Sequence, residues 1–222
     1  MLSTLTLFGL SLYNIFFVAP VEMQMGIVQK IFYFHVPSAY AMYVGFVICG
    51  VSSAIYLIRR TERWDAIAIS AAEVGVMFCV IVLTTGPLWA RKAWGTWWTW
   101  DPRLTSTLLA GLIYVSFVAL RSSGAVGEVE KRFAAGLGLI GLPVVVIIHE
   151  SVKRWRGQHP TVITNRGGGM DSEMMPAFAF SMVAFTGLVI ALIWARARIE
   201  RQRQAVQALE LEAARCGLLE DE

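Results

Sequence analysis

Trp89-Ala-Arg-Lys-Ala-Trp94-Gly-Thr-Trp97-Trp98-Thr-Trp100-Asp101-Pro102-Arg103-Leu104-Thr105-Ser106 is the stretch that decides how the chain is read. Five of the eight tryptophans fall between positions 89 and 100. An apolar run, 66–88, leads into the stretch, and another, 104–120, leads out of it. Each is long enough to cross the hydrocarbon core of a bilayer. The stretch is therefore read as a loop between two spans, at a membrane surface. Tryptophan offers a flat apolar face and one N–H donor, so a cluster of them beside Arg103 and Asp101 suggests a platform for a large planar amphipathic ligand.

The rest of the 222 residues follows the same pattern. The chain is 56% hydrophobic and only 16% charged, against about 25% charged in soluble domains. Mean hydropathy is +0.59. The expected fold is all-α: an integral membrane protein of six transmembrane helices, with short interfacial helices in the outer loops. The spans are expected at 2–20, 39–58, 66–88, 104–120, 133–149 and 177–195. Residues 2–20 have neither a basic leader nor a small-residue cleavage site, so they read as a retained helix. Ile27, Ile31 and Phe34 suggest an interfacial turn of helix before Pro37, which can open the second span. Glu73, inside the third span, must face the interior or lie near an end. Two domains are expected: a six-span unit, 1–195, and a charged helical tail, 196–222. Six spans put both termini on one side. Eleven of the nineteen basic residues lie on that side, so the positive-inside rule makes it cytoplasmic. Charges flank the spans rather than forming a separate patch, which excludes a nucleic-acid partner. Cys49, Cys79 and Cys216 form no CxxC or CxxCH motif, so no thiolate zinc site and no covalent c-type haem attachment is expected.

Three loops meet on the outer side: 21–38, 89–103 and 150–176. They carry His35, His149 and His159 at or near the boundary, and six of the tryptophans, including Trp155. The opposite turns carry no histidine and only Trp64. A belt of interfacial tryptophans would be shared between both faces. Histidines on separate loops, with no cysteine near them, suit zinc poorly. They suit a haem, whose ring fills four iron positions and leaves two axial ones. Arg91, Lys92, Arg103, Lys153, Arg154 and Arg156 are available for propionates. Trp94, Trp97, Trp98 and Asp101 are spaced i, i+3, i+4, i+7, as on one helix face. Asp101-Pro102 also reads as the cap and first position of the fourth span, a structural role for Asp101.

Trp94-Gly-Thr-Trp97-Trp98-Thr-Trp100-Asp101-Pro102-Arg103-Leu104-Thr105-Ser106 resembles the WWD signature of the haem-handling proteins of cytochrome c maturation, and the length and span number resemble the CcmC branch rather than the larger CcmF and CcsA. Ile31–Pro37 and Ile147–His159 resemble family segments as well. The resemblance implies non-covalent haem b, held with Trp94, Trp97, Trp98, Trp100, Asp101 and Arg103. It implies His35 and His159 as the axial iron ligands, with His149 as the fallback for the second. It further implies a role in the bacterial inner membrane: presenting haem on the outer face and delivering it to a CcmE-like chaperone. A CcmD-like small subunit and a CcmAB-like ABC transporter would be the partners. No bond-making residue is evident, so a carrier rather than an enzyme is expected. The alternatives are a bis-His electron-transfer subunit, which would want histidines deep in a span, and a small-solute transporter, which would want polar residues at mid-membrane.

Overall fold

The computed structural model describes residues 2–122, 127–155, 157, 159 and 170–217, without the side chains of Val152 and Lys153. It is all-helical, with no strand among the described residues. Six α-helices run in order: α1 (Leu2–Tyr13), α2 (Phe32–Arg59), α3 (Glu62–Trp94), α4 (Pro102–Ser122), α5 (Glu128–Arg154) and α6 (Met175–Arg215). Helices α2 to α6 are each long and apolar enough to cross a membrane. Helix α1 continues through a π-helical turn, Asn14–Val18, to give a shorter apolar helix, Leu2–Val18. The chain is thus an integral membrane protein, as its composition indicated.

Small residues set how closely the helices pack. Gly45 of α2 lies against α3 so tightly that a Cβ on it would come within 2.7 Å of Gly75 Cα. Between helices in lipid, such close approach is a main source of attraction. Tyr114 of α4 fills the junction of three helices. Its ring stacks on Phe46 at 3.9 Å, and its hydroxyl donates to Phe46 O (3.0 Å) and Gly138 O (3.2 Å). A Cβ on Gly141 would meet that ring at 2.5 Å, so α5 approaches only because Gly141 has none.

Helix α2 begins at Phe32, five residues before Pro37, rather than after it. Pro37 lacks the N–H that would bond Tyr33 O. Ser181 Oγ of α6 donates to that carbonyl instead, at 2.5 Å. A neighbouring helix thus satisfies the freed group, and the helix need not stop. The expected interfacial turn is a 3-10 helix, Ile27–Ile31, which runs directly into α2 and leaves Phe34 to that helix. Lys30 is buried there, and its Nζ donates to Ile15 O (2.7 Å) and Phe16 O (3.0 Å). Those carbonyls belong to the π turn that closes the first helix, where a cation is favoured.

At the opposite end of the bundle the helices are tied by charge. Asp65 of α3 accepts from Arg121 Nη2 of α4 (2.5 Å) and from Gln204 Nε2 of α6 (2.9 Å). Glu62 pairs with Lys131 of α5 at 2.7 Å. Glu73 pairs with Arg196 of α6, which also holds Glu200 at 2.9 Å. Asp65 to Glu73 is a step of eight up α3 and Gln204 to Arg196 a step of eight back down α6, so α6 runs antiparallel to α3 through Arg196 and beyond. The interior placement expected of Glu73 is met by a cation on the facing helix.

Candidate functional site

The site is built at the other end, where α2 begins, α3 ends and α4 begins. Helix α3 stops because Gly95 takes a left-handed conformation (φ 76°) just past Trp94, the usual residue for that position. Residues 96–101 are not helical. The expected single helix face through Trp94, Trp97, Trp98 and Asp101 is therefore not formed: periodicity continued across a glycine that breaks the helix. Asp101 then starts α4. Its Oδ1 accepts from Leu104 N at 2.8 Å, the capping bond its position suggested.

The tryptophans form two edge-to-face pairs, Trp89 with Trp94 (5.5 Å) and Trp98 with Trp100 (5.7 Å). Trp97 and Trp100 are 55% and 76% exposed, so large flat apolar surface faces outward. The Arg91 guanidinium lies 5.9 Å from the Trp97 ring and donates to Gly95 O, which fixes the loop against the end of α3. Trp89 Nε1 donates to Gln29 Oε1 at 3.2 Å and so joins the segment before α2 to α3.

His35 is the fourth residue of α2, so it lies on a helix and not in the preceding loop. Its Nδ1 is 2.9 Å from Thr85 Oγ1 of α3. Thr85 Oγ1 already donates its hydrogen to Ile81 O at 2.6 Å. The hydroxyl can therefore only accept from His35, which puts the imidazole proton on Nδ1 and leaves the Nε2 lone pair available. A ring nitrogen held this way is what metal-binding histidines require. Gly86 makes room for the ring, since a Cβ there would lie 3.2 Å from His35 Cε1. Neither Thr85 nor Gly86 was singled out from the sequence. The polar interruption Thr84-Thr85-Gly86-Pro87 at the end of an apolar run was the available signal.

His159 comes to the same place from the third loop. Its ring lies 6.2 Å from that of Trp94, and its Nδ1 is 3.1 Å from Arg103 Nη1. Arginine can only donate, so Nδ1 of His159 accepts. His149 is exposed on α5. Gly157 lies near the cap, where a Cβ on it would come within 3.2 Å of Asp101 Oδ2. Arg154 is exposed and pairs with Glu150 within α5. Arg156 and the Lys153 side chain lie outside the described residues, as do Gln158, Pro160 and the glycines 167–169.

Among the described residues, four buried polar atoms in this stretch have no hydrogen-bond partner: Trp98 Nε1, Thr99 Oγ1, Asp101 Oδ2 and Arg103 Nε. Buried polar groups are normally satisfied, and an unsatisfied one calls for a partner such as a water, an ion or a ligand. Three donors, one of them cationic, together with exposed indole faces and an imidazole with a free nitrogen, fit a flat, anionic, iron-bearing ligand.

A family model described as "CcmC: Heme exporter protein C" matches residues 1–212. The chain belongs to this family. It is 34% identical to Heme exporter protein C of Bradyrhizobium diazoefficiens, over 94% of this chain and 80% of that one. It is 32% identical to Heme exporter protein C of Escherichia coli K12, over 89% of this chain and 82% of the relative. A ccmC-like mitochondrial protein of cytochrome c biosynthesis from Marchantia polymorpha is 32% identical, over 83% and 80%. The CcmC resemblance of the tryptophan-rich loop thus extends to nearly the whole chain.

Proposed function

We propose that this CcmC-family protein binds haem b non-covalently at the tryptophan-lined end of its bundle and delivers it for c-type cytochrome assembly. His35 and His159 take the two axial positions, and Trp94, Trp97, Trp98 and Trp100 supply flat apolar surface to the ring. Asp101 holds the start of α4 so that Arg103, two residues on, points into the same space. The observation that carries the reading is the engagement of His159 by Arg103 and Trp94 at the end of the bundle where Thr85 holds His35. The four unpartnered polar atoms beside them support it. Membership of a family whose members bear the name heme exporter agrees with it.

The chain's own groups suggest how loading and release are balanced. Thr85 keeps His35 in one tautomer and one orientation. Arg103 occupies the Nδ1 nitrogen of His159. A carboxylate accepts from guanidinium more strongly than imidazole does. A haem propionate would therefore compete with His159 for Arg103, while Thr85 would keep holding the His35 ring.

The site faces outward from the bacterial inner membrane, with both termini cytoplasmic, in keeping with the excess of basic residues on the terminal side. From there haem passes to a CcmE-like chaperone, with a CcmD-like subunit and a CcmAB-like transporter as partners. Residues 1–195 do this work, and 196–222 form the cytoplasmic tail. The test is an absorption spectrum of protein purified from haem-replete cells. A Soret band that denaturants remove together with free haem is expected. Protein without a Soret band would refute haem binding, and a band that survives denaturation would refute its non-covalent character.

A further inference from the structure

At the opposite end of the bundle, the charges divide into two sets. Arg121, Lys131 and Arg196 each have a carboxylate partner. Arg63, Arg198 and Arg201 have none among the described residues. The nearby acids Glu62, Asp65, Glu73 and Glu200 are engaged by the first set.

The three unpaired arginines line one groove. Arg63 and Ile67, one turn apart on the first turns of α3, form one wall with α6 residues Trp194, Ala197, Arg198 and Arg201 opposite, around a cavity of about 250 Å³. It opens onto a shallow surface of α6 at Arg198, Arg201, Gln202 and Ala205. On α6, Trp194, Arg198 and Arg201 are spaced i, i+4, i+7 and make one stripe. Arg196, Glu200 and Gln204, at i, i+4, i+8, make another, which faces α3. One stripe therefore joins the helices and the other is left for a ligand. The Arg198 guanidinium sits 4.9 Å from the Trp194 ring, and the Arg63 guanidinium 5.8 Å from that of Trp64.

The depth is informative. Trp194 is 19 residues into α6 from Met175, about 29 Å along its axis. That is close to one hydrocarbon thickness, so Trp194 lies at the boundary with the arginines just beyond it. The groove is apolar toward the membrane, at Ile67 and Trp194, and cationic toward water. Arg63 is also in the first turn of α3, where the helix dipole favours an anion.

We propose that this groove binds the phosphate headgroup of an anionic phospholipid, with Arg63, Arg198 and Arg201 on the phosphate and Trp194 and Ile67 beside the upper acyl chain. Basic grooves between spanning helices take such headgroups. A free anion would have no use for the apolar wall. The proposal requires the membrane placement of the helices but not the haem site.

The test uses the full-length protein in phosphatidylcholine nanodiscs titrated with phosphatidylglycerol, with bound lipid counted by native mass spectrometry. Arg198→Gln/Arg201→Gln is expected to weaken phosphatidylglycerol binding on the order of 10-fold. Arg63→Gln, on the other helix, is expected to act in the same direction by a smaller factor. Arg203→Gln, equally exposed on the tail, is expected to leave it unchanged, with circular dichroism verifying helicity throughout. Arg198→Lys/Arg201→Lys is expected to retain most of the binding. The proposal is overturned if Arg203→Gln weakens binding as much as the double variant. It is also overturned if neither Arg198→Gln/Arg201→Gln nor Arg63→Gln has an effect, or if millimolar inorganic phosphate displaces the lipid.

Discussion

His35 illustrates how much chemistry one hydrogen bond decides. Thr85 has a single hydrogen, and Ile81 O takes it. The free Nε2 of His35 follows from that commitment. Thr85→Val keeps the shape and removes the acceptor. It is expected to lower haem affinity roughly 10–100-fold, the usual cost of losing a group that orients a metal-binding histidine. Titration of the purified apo-form with haem checks this, and an unchanged affinity would mean that Thr85 does not orient the ring. This residue was not legible in the sequence. Thr84 and Thr85 both bond back to the carbonyl four residues earlier, as threonines in apolar helices do, so composition does not distinguish them. Only the register of α2 against α3 brings one of them to His35. The tryptophans, by contrast, were legible because no ordinary packing rule puts five of them within twelve residues, although Trp89 and Trp94 belong to the end of α3 and not to the expected loop.

Helices α2 to α6 were legible as apolar runs, and their ends were less so. The spacing of Trp94, Trp97, Trp98 and Asp101 satisfied a helical pattern that Gly95 interrupts. Pro37 looked like a start signal and is interior, because Ser181, 144 residues later, takes the carbonyl that the proline leaves. Local signals state what a segment prefers alone, and a distant partner can reverse them. The same holds for charge. Asp65 sits in the first turn of α3, where an acid is ordinary. Its structural weight comes from Arg121, whose side chain is as buried as its own, at 4% exposure each. Asp65→Ala leaves Arg121 a buried unpaired charge, an expected loss of about 3–5 kcal/mol. Asp65→Ala/Arg121→Met removes the charge as well and is expected to recover most of that loss. Thermal unfolding in detergent compares the two. A double variant less stable than the single one would show that the ion pair itself, and not the relief of a stranded cation, holds α3 to α4.

The whole molecule divides its polar groups between two ends. At one end acids and bases are paired across α3, α4, α5 and α6, and the bundle is fixed. At the other end four buried polar atoms lack a partner among the described residues, indoles are exposed, and His35 and His159 come from the segments before and after the tryptophan-rich one in sequence. The asymmetry of histidine and tryptophan was visible in the sequence, since it depends only on which loops fall on the same side. The pairing of Glu73 with Arg196 was not, because it needs the register of helices more than 100 residues apart. The resemblance puts His159 before His149 as the second ligand, and the contacts of His159 with Arg103 and Trp94 support that order. The central claim is that His35 and His159 hold the iron together. Absorption and electron paramagnetic resonance spectra of purified wild type and of His35→Ala, His159→Ala and His149→Ala test it directly. The expected result is a low-spin bis-histidine spectrum in wild type and His149→Ala, lost in both of the other variants. A spectrum disturbed by His149→Ala but preserved in His159→Ala would contradict the account.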